Sequence, residues 1–194
     1  MQNNADKNLL RCDWTGDNKE MIKYHDEEWG IPVHNDRKLF EFITLDTFQA
    51  GLSWSIVLHK RENFRKVFDN FQADKIAEYN PQKINELLKN GSIIRNRLKI
   101  EATINNAKAF LKIQKEFGSF DKYIWQFTHN KVIQNRWEKM SAVPTKTEIS
   151  DAMSADLKKR GFKFVGSTIC YAFMQAAGMV NDHLITCFRH RELI

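Results

Sequence analysis

Apolar residues recur every three or four positions along most of the chain, the spacing of helices that bury one face. After Asp36, a plausible N-cap, Leu39, Phe40, Phe42, Ile43 and Phe48 follow at that spacing, and Gly51 is a stop signal. Ser53 is placed to cap the next segment, with Ile56, Val57, Phe64, Val67 and Phe68 as its stripe. Short helical pieces follow around Ile76 and Ala77, then from Pro81, a favoured first-turn residue, to the break at Asn90 and Gly91. The longest pattern covers 95–117 and ends at Gly118, and another short helix holds Tyr123, Ile124 and Phe127. Thr147 or Ser150 opens a helix that closes at Gly161, while 167–177 is apolar on every side, as in a helix inside a core. Residues 129–146 have little periodicity and read as an ordered connection; the first thirty read as irregular. The pattern predicts an all-α protein without internal repeats or a β-hairpin. Residues 1–194 read as a single domain, with disordered tails at 1–8 and 189–194.

Composition narrows the class. With 194 residues, 42% of them hydrophobic, the chain can bury a sizeable core, and 12% aromatic content argues against disorder. No stretch approaches the roughly 20 apolar residues of a membrane span, so no membrane partner is expected. The first ten residues are polar and lack a secretory core. Three scattered cysteines do not make a disulfide framework, which points to a reducing, cytoplasmic setting. The net charge of +6 permits a polyanionic partner without proving one.

Cys12 and His25 lie near one end and His183 and Cys187 near the other, the last two spaced to share one helical turn or a tight loop. Two thiolates and two imidazoles suit tetrahedral zinc and leave no coordination place for water. The plainer alternative is a buried cysteine and unrelated surface histidines. Cys170 sits in the apolar segment and reads as core, while His34, His59, His129 and His190 read as surface or capping residues. Trp14, Tyr24, Trp29 and Trp54 surround Asp46 in the sequence order of elements. They read either as core, or as a pocket in which rings stack on a flat ligand and the carboxylate accepts from its amino group.

Residues 87–99 comprise a helix end, a break at Gly91, the apolar pair Ile93 and Ile94, and a new helix start. Such a turn can present backbone amides to a phosphate, with Arg95, Arg97 and Lys99 adding charge. Lys158, Lys159, Arg160 and Lys163 form a second basic set, and Lys60 with Arg61 a third. These clusters either solvate helix faces or bind nucleic acid.

Several motifs occur in order: Cys12-x-Trp14, Tyr24-His25-Asp26-x-x-Trp29-Gly30-x-Pro32 and Gln49-Ala50-Gly51-Leu52-Ser53-Trp54. They are followed by Ile93-Ile94-Arg95-x-Arg97, the run from Lys159 to Gly166, Asn181-Asp182-His183 and Cys187. In these the chain resembles the DNA-3-methyladenine glycosylase I family of alkylation repair. The resemblance implies a helix-hairpin-helix glycosylase fold of two helical lobes, with a structural zinc on Cys12, His25, His183 and Cys187 joining the terminal segments. It implies a base pocket at Trp14, Met21, Tyr24, Trp29 and Trp54, with Asp46 catalytic. Gly51 and Leu52 would probe the gap left by the extruded nucleotide, and the segment 87–99, including Gly91 and Ile93, would bind the DNA backbone with support from Lys163.

The implied activity is monofunctional: excision of 3-methyladenine from double-stranded alkylated DNA by a monomeric hydrolase, leaving an abasic site. Two positions depart from the family, Asp46 where glutamate is usual and Met21 where tyrosine is frequent. Aspartate shortens the carboxylate's reach by about 1.5 Å, which leaves as the alternative a lesion-recognition protein of the same fold with weak or no catalysis.

Overall fold

The protein's structure, a computed structural model, describes residues 9–194. The tail proposed at 1–8 lies outside the described residues. The chain folds into helices α1 (Lys19–Glu27), α2 (Asp36–Gln49), α3 (Trp54–His59), α4 (Arg61–Val67), α5 (Ala73–Ala77) and α6 (Pro81–Lys89). Then follow α7 (Arg97–Phe117), α8 (Phe120–Ile124), α9 (Glu148–Lys159), α10 (Ser167–Ala176) and α11 (Phe188–Glu192). Two-residue strands β1 (Ile133–Gln134) and β2 (Val180–Asn181) pair in parallel. The class is all-α, as the periodicity predicts. Among the described residues, no helix is long and apolar enough to cross a membrane.

The asparagines set several boundaries, because their short side chains satisfy first-turn amides that have no partner within the helix. Asn18, Asn35, Asn80 and Asn96 accept from the first turns of α1, α2, α6 and α7, and Thr147 forms a reciprocal capping box with Ser150 on α9. Asp36, read from the sequence as an N-cap, instead reaches across the fold. Its carboxylate accepts from the amides of Phe120 and Asp121, both at 2.8 Å, and from Gln114 Nε2 at 2.6 Å, so it secures α8.

Three expectations need correction. The first thirty residues contain α1, which is held by burial of Met21, Tyr24 and His25. The segment after Ser53 is broken at Lys60 into α3 and α4. The C-terminal tail is not disordered up to 192: α11 is anchored by buried His190, whose Nε2 meets Asn135 O at 2.9 Å and whose carbonyl accepts from Asn181 Nδ2 at 3.1 Å.

One buried apolar cluster runs through the molecule. At its centre, α2 packs on α3, α7, α8 and α10, so its whole length from Leu39 to Phe48 is buried. The N-terminal segment lies against the end of α10: Gly30 N donates to Gln175 O and Val33 N to Ala177 O, both at 3.0 Å. Gly178 makes this approach possible. Its φ is +67°, and a Cβ there would lie 2.2 Å from the Ile31 carbonyl carbon. The two ends of the chain are thereby brought over the central helix.

Candidate active site and metal centre

Where the N-terminal segment crosses α2, α3 and α10, a cavity of about 250 Å³ opens. This is below the ~300–1,000 Å³ of ordinary small-molecule sites and suits a single heterocycle. All the expected pocket residues, Trp14, Met21, Tyr24, Trp29, Asp46 and Trp54, line it. Gln49, Met140, Ala172 and Gln175 join them. None of the four was named as a pocket residue: Gln49 opens the motif that runs to Trp54 without being assigned to the pocket, Met140 belongs to a segment without periodicity, and Ala172 and Gln175 lie in an apolar helix.

The rings do not form a parallel sandwich. Trp14 meets Trp29 edge-on at 5.1 Å and Tyr24 at a tilt at 6.4 Å, and Tyr24 tilts against Trp54 at 5.1 Å. They wall the cavity on several sides instead. Three buried polar atoms on this wall have no hydrogen-bond partner: Trp14 Nε1, Trp54 Nε1 and Asp46 Oδ2. Buried polar groups are nearly always paired in folded proteins, so three unpaired ones among the residues that line one cavity single this region out as a candidate site.

Asp46 is only 2% exposed, and burial pushes its carboxyl well above the usual carboxylate range, the nearby Arg61 guanidinium opposing this only in part. Burial, then the charge of Asp46, likewise holds the Tyr24 phenol well above its ordinary value, so its hydroxyl keeps its proton. Arg61 itself is not a surface cation. It is buried, bidentate to Glu28 at 2.8 Å, and bonded to Glu41 at 2.6 Å. That cluster supplies a cationic neighbour to Asp46 without touching it.

Beside the cavity, Cys12, His25, His183 and Cys187 converge, all buried, with their ligand atoms within 4.8 Å of one another. His25 Nε2 lies 3.2 Å from His183 Nδ1 and 3.4 Å from Cys187 Sγ. His183 Nδ1 lies 3.6 Å from Cys187 Sγ and 3.8 Å from Cys12 Sγ. A tetrahedron with metal bonds of about 2.0–2.3 Å has edges of about 3.3–3.8 Å, so the donor set already has nearly the dimensions of a metal site.

The opposite ring nitrogens are held as metal-bound imidazoles require. His25 Nδ1 meets Asp26 Oδ1 at 2.7 Å, and Asp26 is paired with Arg11; His183 Nε2 meets Trp29 O at 3.0 Å. The two thiols also share one negative charge poorly. Hydrogen bonding between them, with help from both imidazoles, lowers Cys187, while the same bond and burial raise Cys12. A divalent cation would stabilise both as thiolates. The cluster can hold a metal ion, and it packs on the pocket: Trp29 contacts both histidine rings and Trp14 meets His25 at 5.3 Å.

Comparison with known proteins decides the family. The profile of the methyladenine glycosylase family matches residues 14–190. The chain belongs to that family. It is 49% identical over 177 residues to a DNA-3-methyladenine glycosylase of Haemophilus influenzae, an alignment covering 91% of this chain and 96% of that one. A crystal structure of 3-methyladenine DNA glycosylase I superposes with a TM-score of 0.90 at 48% identity, covering 92% of this chain and 98% of the other. A tyrosine-to-phenylalanine variant of such an enzyme, in complex with 3-methyladenine, superposes at 0.89 with 33% identity, covering 92% and 96%.

In this methyladenine glycosylase family member, the expected DNA-facing residues separate into two groups. Gly51 and Leu52 are exposed between Gln49 and Trp54, two residues that line the cavity; Gly91, Arg95 and Lys163 are exposed on loops, and Arg97 is exposed at the start of α7. Lys99 and Ile93 are not. Ile93 is 2% exposed and turns into the core. Lys99 is 6% exposed, and its ammonium donates to Phe48 O at 2.7 Å and Ala50 O at 2.6 Å, closing the C-terminus of α2. With its ammonium buried on two carbonyls, Lys99 is committed to the end of α2 and is not presented at the surface where a phosphate would lie. Lys60 is also diverted, donating to the carbonyls of Gly91 and Ser92.

The turn between α6 and α7 is already internally bonded: Asn90 holds Ser92 N and Asn96 holds Lys99 N. A second helix–turn–helix, α9 to α10, is differently built. Gly166 begins α10 with no side-chain cap. Phe164 is exposed at a φ of +56°, a conformation rare for so bulky a residue. Its loop is locked by Asn106, which holds both N and O of Lys163, and by Asn105 on Gly161 O. This turn carries the second basic set of the sequence, Lys158 to Lys163, in addition to the segment 87–99 expected to bind the backbone.

Proposed function

We propose that the protein is a DNA-3-methyladenine glycosylase that extrudes the methylated nucleotide from alkylated duplex DNA and hydrolyses its glycosidic bond, releasing 3-methyladenine and leaving an abasic site. The observation that carries this reading is the cavity lined by Asp46, Trp14 and Trp54, whose buried Oδ2 and N–H groups have no hydrogen-bond partner, in a chain whose close relatives bear that activity.

Methylation at N3 puts a positive charge on the adenine of the nucleotide, which weakens the bond to the sugar. Trp14, Tyr24 and Trp54 face that cation with electron-rich rings, an attraction worth up to about 2 kcal/mol when desolvated. Asp46, reluctant to ionise in an apolar wall, gains its counter-charge from the base and accepts from its amino edge. Unmethylated adenine brings no charge and leaves the carboxylate uncompensated, which is the source of selectivity. The C1′–N9 bond breaks, its electron pair neutralises the departing base, water adds to C1′, and the water's proton leaves to solvent. The shorter side chain of Asp46 still faces the cavity, so the departure from glutamate is compatible with catalysis.

Zinc is the metal we assign to Cys12, His25, His183 and Cys187. It would supply a rigid tetrahedral link between the terminal segments, holding Trp14 and Trp29 at the pocket. None of these four ligands lines the cavity, so the reading routes no chemistry through it. Gly51 and Leu52 enter the duplex beside the extruded nucleotide, and Lys163 with the uncapped start of α10 takes the phosphate backbone. Arg95, on the α6–α7 turn, and Arg97, at the start of α7, are exposed as further backbone contacts.

Chromatography of bases released from methylated duplex tests the reading. Wild-type protein should release 3-methyladenine, and Asp46→Asn should lower the rate at least about 100-fold while remaining folded. A wild-type protein that binds the duplex but releases no base would instead establish lesion recognition without excision.

A further inference from the structure

Asp182 is 1% exposed and collects four donors. Its Oδ1 accepts from Asn135 Nδ2 and Trp137 Nε1, and its Oδ2 from Tyr171 Oη and Gln175 Nε2, each at 2.7 Å. With four donors converging, the two oxygens act only as acceptors. The group of Gln175 that meets them is therefore the NH2, and Oε1 is turned the other way. Gln175 lines the cavity together with Asp46, and among the described residues its only side-chain hydrogen bond is the one to Asp182. Its main chain is fixed as well, since its carbonyl accepts from Gly30 N at 3.0 Å. Gln175 is thus a cavity-lining residue whose amide orientation is set by Asp182.

We propose that Gln175 is a specificity-determining residue that reads the six-position of the purine, its Oε1 accepting from the exocyclic amine of 3-methyladenine and opposing the carbonyl oxygen of a 6-oxopurine, with Asp182 as the positioning residue that fixes this orientation. The inference rests on the proposed glycosylase function. An exocyclic amine has two hydrogens, and among the cavity's acceptors Asp46 and Gln175 can take one each. Gln49 and Tyr24 also line the cavity, but among the described residues no hydrogen bond fixes the orientation of either side chain as Asp182 fixes that of Gln175. The two acceptors differ in kind. The carboxyl of Asp46, pushed up by burial, can take a proton and then donate to a carbonyl oxygen. The Gln175 amide, locked on Asp182, cannot reverse its polarity without setting its own oxygen against a carboxylate. Discrimination between amine and carbonyl at the six-position therefore lies with Gln175 more than with Asp46. Sites built to bond a specific polar group reject analogues without it far more strongly than apolar pockets do.

The test measures release of 3-methyladenine and 3-methylguanine from the same methylated duplex, with free-base affinity read by tryptophan fluorescence using 3-methyladenine and 3-methylguanine. In Gln175→Leu the preference for 3-methyladenine should narrow at least 10-fold, through weaker 3-methyladenine and stronger 3-methylguanine binding. Asp182→Asn should narrow it less, because the new amide can present either its donor or its acceptor to Gln175. Gln175→Glu, if folded, should keep an acceptor in the cavity and retain more of the preference than leucine. A folded Gln175→Leu protein in which the ratio is unchanged, or in which both bases weaken equally, overturns the proposal, since a packing role alone moves both together. If wild-type protein releases no 3-methyladenine, the underlying function fails; if it does and the ratio stays fixed in the variants, only the role of Gln175 fails.

Discussion

Lys99 offers the sharpest test of how this fold positions its site. Its ammonium bonds Phe48 O and Ala50 O, carbonyls at the end of α2 that have no amide partner further along the helix. A cation at a helix C-terminus is also favoured by the helix dipole. The lysine comes from the first turn of α7, so it ties the α6–α7 hairpin to the segment that carries Gln49, Gly51 and Leu52, three to six residues beyond Asp46. Lys99→Met keeps the aliphatic stem and removes both bonds. Hydrogen bonds from charged donors contribute about 1.5–3 kcal/mol each, and leaving a buried carbonyl bare costs about 1–3 kcal/mol. Against this stands the desolvation of the ammonium, which burial already makes unfavourable enough to lower its pKa. The net loss should be about 3 kcal/mol, or about 6–12 °C in Tm for a domain of this size.

Thermal unfolding by circular dichroism measures that loss, and base release at a temperature well below the midpoint isolates positioning from stability. The variant should excise 3-methyladenine at least about 10-fold more slowly while binding undamaged duplex with unchanged affinity and unchanged salt dependence. A Tm within 2 °C of wild type, on the scale of about 3 °C per kcal/mol, would refute the clamp. Loss of duplex affinity with a flatter salt slope would instead return Lys99 to the phosphate-binding set.

Two further outcomes follow from the site. The metal cluster predicts about one zinc per chain by plasma mass spectrometry; Cys187→Ser or a strong chelator should lower Tm and disturb the fluorescence of Trp14 and Trp29, whereas a metal-free protein of unaltered Tm would count against a structural ion. The buried Asp46 predicts a pH-dependent gain in stability on its removal. A raised native pKa means the folded state holds the proton more tightly, so wild-type stability falls as pH rises above the unfolded value near 4 and through the native one. Asp46→Asn removes that loss, so its Tm advantage should widen between pH 5 and pH 8; a constant difference across that range would show the carboxyl is not held protonated by its surroundings.

The helices were legible because their signals are local. The stripe from Leu39 to Phe48, the break at Gly118 and the wholly apolar run of α10 depend on residues within a turn or two, and each became a helix at nearly the expected bounds. α1 was missed because its pattern is short and one of its three buried residues, His25, is a polar type that helical periodicity does not count as apolar. The ordered end at α11 was missed because its anchors, Asn135 and Asn181, are distant in sequence. The pocket residues named by motif do line one cavity, while Gln175 required knowing which atom of Asp182 it faces.

By itself the sequence determined the helical class, the family and the four metal-ligand candidates, since residue type and spacing along the chain carry all three. Only the tertiary structure decided what each charge does. Lys99, Arg61 and Lys163 are equally cationic in the sequence, yet one closes a helix, one sits among glutamates and one is exposed on a locked loop. Asp46 is chemically like any other aspartate until burial removes its water and leaves Oδ2 without a hydrogen-bond partner. The reason is physical: solvation and hydrogen-bond pairing belong to the packed assembly of many segments, so no single stretch of chain encodes them.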